Sequence, residues 1–528
     1  MRRKIIAATF ILALACVAWM GFSGTAQNAY KNILKLQRVM DIVSQVYVEE
    51  VDANAITEAA IESMLKELDP HSVYFPPKES KAVAEQMQGD FEGIGATIEI
   101  VQNWPAVVTT VAGAPANRMG ILAGDRIVKI NDEKTEGWQL EQVTSKLRGP
   151  KGTKVHLTIQ RPGTSESIDV DIVRDKIPLS TVASKFMLDK ETGYISISMF
   201  STKTADDVEK ALQELEAQGL KNLILDLRGN GGGVLQQAFL VVDKFIPGDK
   251  LVVYTRGRIA SANEDFYSSY KPKFRPYPLI VLMDRGAASA SEVVAGAIQD
   301  LDRGLILGER SFGKGLTQLE YPLNDGSAVR ITVGRYYTPS GRLIQRDYKD
   351  KSLKDYYRER MDENVTDSTK IFHTAKGRAV YGGGGIVPDH HIDSDTVGTY
   401  ARYLWMKGAI RDFSNKFLEE QGPALRDRYK NDLPGFLKNY QTPEADLQAV
   451  VKTGETKGVP FDKAGYVQDK DFLANVLKAE AARYIWGNDA SARVRIELDN
   501  VALEALKYFK EAQKFADHFM KTTSDGKN

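Results

Sequence analysis

Two short segments carry the residue types that hydrolytic chemistry needs. Gly286-Ala-Ala-Ser-Ala-Ser-Glu292 sets serines among small residues, and Ser311-Phe-Gly-Lys-Gly-Leu-Thr-Gln318 holds one lysine between two glycines. A serine hydroxyl is a weak nucleophile until a base takes its proton. Six histidines are present (His71, His156, His373, His390, His391 and His518), but none falls in a triad signature, and the Gly-x-Ser-x-Gly elbow is absent around Ser289. A neutral lysine can take the histidine's place. Its ordinary pKa is about 10.4, and burial among apolar groups lowers it. Phe312, Gly313, Gly315 and Leu316 give Lys314 such surroundings. Gln318 lies four residues on, so in an extended strand it faces the same side. Its amide can orient the amine without raising the pKa as a carboxylate would. The chemistry is amide or peptide hydrolysis. It also needs donors for a developing oxyanion. The expected donors are backbone N–H groups of the turn Gly232-Gly233 and of Ala290, directly after Ser289.

Each residue has a competing reading. Ser291 is a second serine two positions on. Gly308-Glu-Arg-Ser-Phe-Gly313-Lys314 matches the start of a phosphate-binding Gly-x-x-x-x-Gly-Lys loop. That motif requires Ser or Thr next and a helix after it. Here Gly315 follows, and the residues up to Pro322 read as strand, so the nucleotide reading fails twice.

The elements that must position these residues read as α/β. Gly193–Phe200 is a strand, 204–218 an amphipathic helix with Thr202 or Thr204 as its expected cap, and Leu223–Arg228 a buried strand, together a βαβ unit. Gly229-Asn-Gly-Gly-Gly233 leads into a helix over Val234–Lys244. A strand over Leu279–Met283 runs into the Ser289 segment, which continues as a helix from Glu292 to Leu301. A strand over Leu305–Gly308 precedes Lys314. Asn324-Asp-Gly326 turns a hairpin whose return strand is Val329–Tyr337.

Upstream, residues 28–88 read as helical, broken at Asp69-Pro-His-Ser72, where His71 is assigned a capping or packing role. Residues 89–177 read as strands over Ala96–Val101, near Ala106–Val111 and at Ile127–Ile130. A helix follows near 138–148, with Leu140, Val143 and Leu147 on one face, and then a last strand through Val155, Leu157 and Ile159. This order resembles a circularly permuted PDZ domain. Such a domain takes an extended peptide as an extra strand and captures its terminal carboxylate on backbone N–H groups. Gly93-Ile94-Gly95 is the matching loop, and Arg148 is placed to pair with that carboxylate or with a neighbouring domain. Residues 395–528 read as mostly helical, with a linker-like stretch near 452–470 and a long amphipathic helix near 493–521 that packs on its own domain or on a second subunit.

The chain has 528 residues, enough for several cores, and its 70 basic and 70 acidic residues balance, which argues against nucleic acid as a main partner. Residues 1–26 have the features of an export signal. Arg2, Arg3 and Lys4 precede an apolar run, Ile5–Phe22, and small residues end at Ala26. The run is near spanning length, so an uncleaved anchor over residues 5–22 remains open beside a cleaved signal. Cys16, the one cysteine, fits a lipidation motif poorly.

Several motifs recur together: Asp226-Leu-Arg-x-Asn230-x-Gly-Gly233, Ser289-Ala-Ser-Glu292, Gly313-Lys-Gly315 with Gln318, Asp325-Gly-Ser327, Arg335-Tyr-Tyr-Thr-Pro-Ser-Gly341 and Gly385-Ile-Val-Pro-Asp389. Over about residues 30–395 the chain resembles the carboxyl-terminal processing, or tail-specific, serine peptidases. The resemblance implies a multidomain α/β (α+β) fold. Its expected parts are a signal or anchor (1–26), a helical N-terminal segment (27–88), a PDZ-like β domain (89–177), an α/β Ser–Lys protease core with βαβ units (178–394) and a helical C-terminal domain (395–528). It assigns Ser289, Lys314 and Gln318 as the catalytic set, with no metal and no organic cofactor. The implied function is exported (periplasmic or extracytoplasmic) endoproteolysis near exposed C-termini, with the PDZ domain recognising the tail. A homodimer through the C-terminal helices and an activator or adaptor protein are expectations from architecture. The alternative is a catalytically silent exported PDZ scaffold.

Overall fold

The computed structural model describes residues 28, 30–162, 164, 166–269, 275–358 and 370–525. The expected signal or anchor over residues 1–26 lies outside them. Among the described residues no helix is long and apolar enough to cross a membrane. The chain divides into two compact units: the described residues up to Lys78 with Glu320–Ile331, and the remainder from Glu79 onward.

In the smaller unit a helix over residues 30–46 is followed by the helix Ala53–Lys66. Asp52 caps the second helix, its carboxylate accepting from the Asn54 and Ala55 N–H groups. At the predicted break, Asp69 Oδ1 accepts from the His71 and Ser72 amides at 2.8 and 2.9 Å, so this stretch is a turn locked by one aspartate. The strand Val73–Phe75 then pairs antiparallel with Ala328–Arg330 of the hairpin tip.

The larger unit contains a six-stranded antiparallel sheet whose main path runs Ala96–Val101, Trp104–Thr110, Arg126–Ile130, Lys154–Gln160, Ser167–Val173, with the short strand Glu133–Lys134 paired beside Arg126–Ile130. The helix Leu140–Leu147 buries Val143 and Leu147 against it, whereas Leu140 is exposed instead of sharing their face. Lys154–Gln160 is not the last strand. Ser167–Val173 pairs with it along its whole length. Asp175–Pro178 then returns to pair with Asp90–Gly93 and ties the two ends of the domain together.

The protease-like core is a six-stranded sheet: Val182–Met187 antiparallel at one edge, then Thr192–Ile197, Asn222–Asp226, Leu279–Met283, Leu305–Gly308 and His390–His391, all parallel. The predicted βαβ unit is present, with its helix at Thr204–Ala217. Neither Thr202 nor Thr204 caps that helix: Lys203 holds the cap position, Thr202 donates to the Gln88 carbonyl, and Thr204 Oγ1 accepts from the Ser201 amide. Every side chain of Leu279–Met283 is buried, as in a strand covered on both faces. Leu279, Val281 and Met283 face one apolar cluster with the helices Thr204–Ala217, Leu235–Val242 and Ala290–Asp300. Ile280 and Leu282 face another, built with Ile496, Val501, Ala502, Ala505, Ala512 and Phe515. Each such side chain contributes roughly 1.5–3 kcal/mol by leaving water.

The end of the chain is therefore the second cover of the core sheet, and the amphipathic stripe is used within the molecule. It is also not one helix. Asn488–Arg495, Asn500–Ala505 and Phe509–Asp525 are separated by 3-10 turns, and Leu498 is exposed. Arg228, just past a core strand, locks the junction by pairing with Asp226 and with Asp499, the cap of Asn500–Ala505. The stretch near 452–470 is not a linker, since the helices Glu444–Thr456 and Lys463–Trp486 occupy most of it. The preceding helix, Ala409–Tyr429, reaches the PDZ-like sheet, where Arg126 pairs with its Glu419 at 2.8 Å.

Candidate active site

Ser289 sits at the junction between the strand Leu279–Met283 and the helix Ala290–Asp300, as the N-cap of that helix. Its backbone is at φ 55°, ψ −114°. Among the described residues, every other non-glycine with positive φ is Asp, Asn or Gln. A serine held in this region is strained, and strain of this kind gathers at functional sites. The segment is thus a sharp strand-to-helix elbow without the Gly-x-Ser-x-Gly pattern. Gly232 provides the room: a Cβ there would lie 2.7 Å from Ser289 Cβ and 2.9 Å from the Ala290 nitrogen.

Lys314 precedes the strand Leu316–Pro322, not a helix, which removes the phosphate-loop reading. Lys314 Nζ donates to Gln318 Oε1 at 2.9 Å, the same-side pairing that the four-residue spacing predicted. Ser289, Lys314 and Gln318 are all partly accessible. Ser291, the competitor, is fully buried, and its hydroxyl donates to the Asn230 carbonyl at 2.9 Å.

What unites the serine and lysine segments is Glu292, to which the sequence reading gave no chemical role. Its side chain is fully buried. Oε2 accepts from the Ser289 amide at 2.7 Å and from the Lys314 amide at 2.9 Å, while Oε1 accepts from Gly313 N–H at 2.7 Å and Ser311 Oγ at 2.5 Å. One carboxylate thus fastens both loops. Burial pushes its carboxyl up to about 7, against the pull of these four donors. Tyr336 repeats the fastening from the other side, its hydroxyl reaching the carbonyls of Ser289 (3.0 Å) and Lys314 (2.5 Å). The signal for Glu292 was present, because a Ser followed three residues later by Glu before an apolar run is a capping box. That signal predicts only the Ser289 contact. The reach to residues 311–314 depends on the tertiary fold.

Of the three amides expected to cradle an oxyanion, that of Gly232 is already engaged, donating to Asn230 Oδ1 at 2.9 Å. Asn230 folds back on its own loop and so takes this donor out of use. Gly232 acts instead by having no side chain, and Gly233 and Ala290 remain as the candidate donors. Gly232→Ala is therefore expected to push the Ser289 elbow out of place and lower kcat by about 100-fold, with the loss read in a peptidase assay. Wild-type kcat in that variant would show that the close approach has no part in turnover.

Comparison with known proteins places the chain. A family model described as "Peptidase family S41" matches residues 191–351, and others match a PDZ domain over 107–161 and the "Activating protease CtpB N-terminal domain" over 20–79. Residues 400–487 match a family of unknown function. A carboxy-terminal-processing protease of Bartonella bacilliformis is 37% identical over 353 residues, which span 65% of this chain and 81% of that protein. The chain belongs to peptidase family S41. Another relative, the carboxy-terminal processing protease CtpB of Bacillus subtilis, is 37% identical over 59% of this chain and 65% of its own length. The solved structure of a photosystem II D1 C-terminal processing protease aligns with 68% of this chain and 86% of that one at 28% identity and a TM-score of 0.34.

Within this S41 chain the residues expected to meet a tail are divided between a strand, a loop and an ion pair. Gly93 belongs to a strand and pairs with Asp175, so the loop proper is Ile94-Gly95. Ile94 is buried in the PDZ core. Gly95, at φ +77°, packs so tightly that a Cβ would lie 2.4 Å from Ala114 Cβ. The strand Ala96–Val101 that follows is an edge strand, the position from which a sheet can accept a further strand. Arg148 takes the second of its two expected partners: it pairs with Glu85 outside the PDZ sheet and stacks 4.7 Å over Phe91.

Proposed function

We propose that this chain is an exported serine endopeptidase that cleaves proteins near their C-terminal tails with a Ser289–Lys314 dyad, the PDZ domain recognising the tail. The observation that carries the reading is the pairing of Lys314 Nζ with Gln318 while one buried carboxylate oxygen of Glu292 holds the amides of both Ser289 and Lys314. In this mechanism neutral Lys314 takes the Ser289 proton as Oγ attacks the scissile carbonyl. The oxyanion forms against the Gly233 and Ala290 N–H groups. The lysinium gives its proton to the departing amine, and water then repeats the cycle on the acyl-enzyme. Gln318 accepts one N–H of the amine, which leaves the lone pair directed elsewhere. The silent-scaffold alternative gives no reason for an ordered Lys314–Gln318 pair beside a strained serine.

Tail recognition has its own test. A peptide substrate and its C-terminally amidated twin are compared by product mass spectrometry and initial rates. Amidation removes the charge that the loop at Gly93–Gly95 is proposed to bind, so KM is expected to rise about tenfold with kcat little changed. Equal KM values for the twins would reduce that loop to a structural element.

A further inference from the structure

Remote in sequence from the Ser289 and Lys314 segments, the turn between the short strands Ile371–His373 and Ala379–Tyr381 approaches the last helix, Phe509–Asp525, and leaves an open cleft of about 600 Å³. Lys376 and Arg378 line it from the turn, and Lys507, Lys510 and Lys514 from the helical side. The lining includes a single acid, Glu511, which lies 3.0 Å from His390 Nε2. In a chain whose charges balance overall, this is a local excess of cations. Arg378 is compensated by Asp302 and Asp389, and Lys507 by Glu504. Lys376, Lys510 and Lys514 enter no ion pair among the described residues. Burial and the neighbouring Arg378 charge push the Lys376 ammonium below its ordinary pKa, against the pull of Asp302.

The Phe515 ring lies beneath these charges. Lys376 Nζ lies 5.0 Å and the Arg378 guanidinium 4.8 Å from the centre of the Phe515 ring, which is itself buried. Lys510 and Lys514 lie one turn apart on the last helix, and Lys507 continues their row from the 3-10 turn that precedes it. At about 1.5 Å per residue along the helix and about 2 Å in the 3-10 turn the row is about 11 Å long, the span of three or four residues of extended chain.

We propose that this cleft binds an acidic peptide segment, its carboxylates along the Lys507–Lys510–Lys514 stripe and one apolar side chain on the Phe515 floor. A flat anionic membrane surface fits less well, because the ring that would have to insert lies at the bottom of a concavity. The proposal does not depend on the hydrolytic reading.

The probe is fluorescein-EEFED-amide, whose blocked terminus gives the PDZ loop no carboxylate. Its binding is followed by fluorescence anisotropy with the full chain carrying Ser289→Ala, so that the probe stays intact. Saturable binding is expected to weaken as salt is raised, and the neutral probe QQFQN-amide is expected not to bind. The exposed double variant Lys510→Glu/Lys514→Glu should weaken binding about tenfold or more with an unchanged circular dichroism spectrum, and Lys376→Ala by less. Three results would overturn the proposal: no saturable binding, equal binding by the charge-reversed variant, or equal binding of the neutral probe. Capture of phosphatidylglycerol vesicles by a chain that ignores the peptide, lost in the same double variant, would replace the peptide with a lipid surface.

Discussion

Ser289→Ala is expected to abolish hydrolysis of a tailed substrate and to leave binding of the tail measurable, and Lys314→Ala is expected to be equally inactive. The expected loss in kcat is about 10⁴- to 10⁶-fold for either variant, because nucleophile and base act as a unit and removing one disables both. The double variant should be no worse than either single one. Lys314→Arg should not rescue, since a guanidinium stays protonated and cannot accept the serine proton. Gln318→Ala should retain part of the activity, because it loses only the group that orients the amine. Stopped assays with product mass spectrometry separate these outcomes. Substantial turnover by Lys314→Ala would move the base to another residue. Three histidines already have carboxylate partners elsewhere: His156 with Asp171, His390 with Glu511 and His391 with Asp393.

Glu292→Gln is the second large effect. The glutamine has nearly the same volume but only one acceptor oxygen. Whichever way its amide is turned, the NH₂ meets a backbone N–H: that of Gly313 on one side, or those of Ser289 and Lys314 on the other. A buried donor left without an acceptor costs about 1–3 kcal/mol, and this one also displaces a reacting loop. A 10- to 100-fold fall in kcat/KM is expected. The pH profile distinguishes this from a general loss of stability. With the Glu292 carboxyl pushed up to about 7 by burial, acidification through that value protonates the oxygens that hold both loops, and wild-type activity falls. The lysine must also be neutral, so the acid limb of the wild type carries two ionisations, whereas that of Glu292→Gln should carry one. Stability moves the other way. A carboxyl whose folded pKa lies above its ordinary value contributes stability that is present in full below about 4.5 and lost as pH rises through about 7. Relative to Glu292→Gln, the wild type should therefore gain thermal stability as pH falls from about 8 to 5 while losing activity. A single-ionisation acid limb in the wild type, unchanged in the variant, would remove Glu292 from the working site.

Much of the frame was readable from local pattern. The strands Leu279–Met283 and Leu305–Gly308 appear at their predicted bounds, because unbroken apolar runs between turn residues suit only a sheet covered on both faces. The Asn324–Gly326 hairpin and the βαβ unit follow from turn chemistry and periodicity in the same way. Ser167–Val173 was missed although its apolar residues alternate, because seven residues beside a polar loop give a weak signal. Periodicity alone predicts one continuous C-terminal helix, because the 3-10 turns that break it contain no proline or glycine.

At the site, the residue types and the four-residue step from Lys314, just before the strand, to Gln318 within it were enough to propose the chemistry, since side-chain facing along an extended segment is a local property. Sequence also supplied the small residues that make a tight elbow sterically possible. Local pattern cannot show which distant groups share a hydrogen-bond acceptor. That Glu292 joins residues 289 and 314, that Asn230 occupies the Gly232 amide, that Arg148 turns to Glu85, and that the chain's last helices cover the core sheet were decided by packing alone. Each depends on which buried polar or apolar group finds its complement across the fold, and that is settled only when the whole chain is closed.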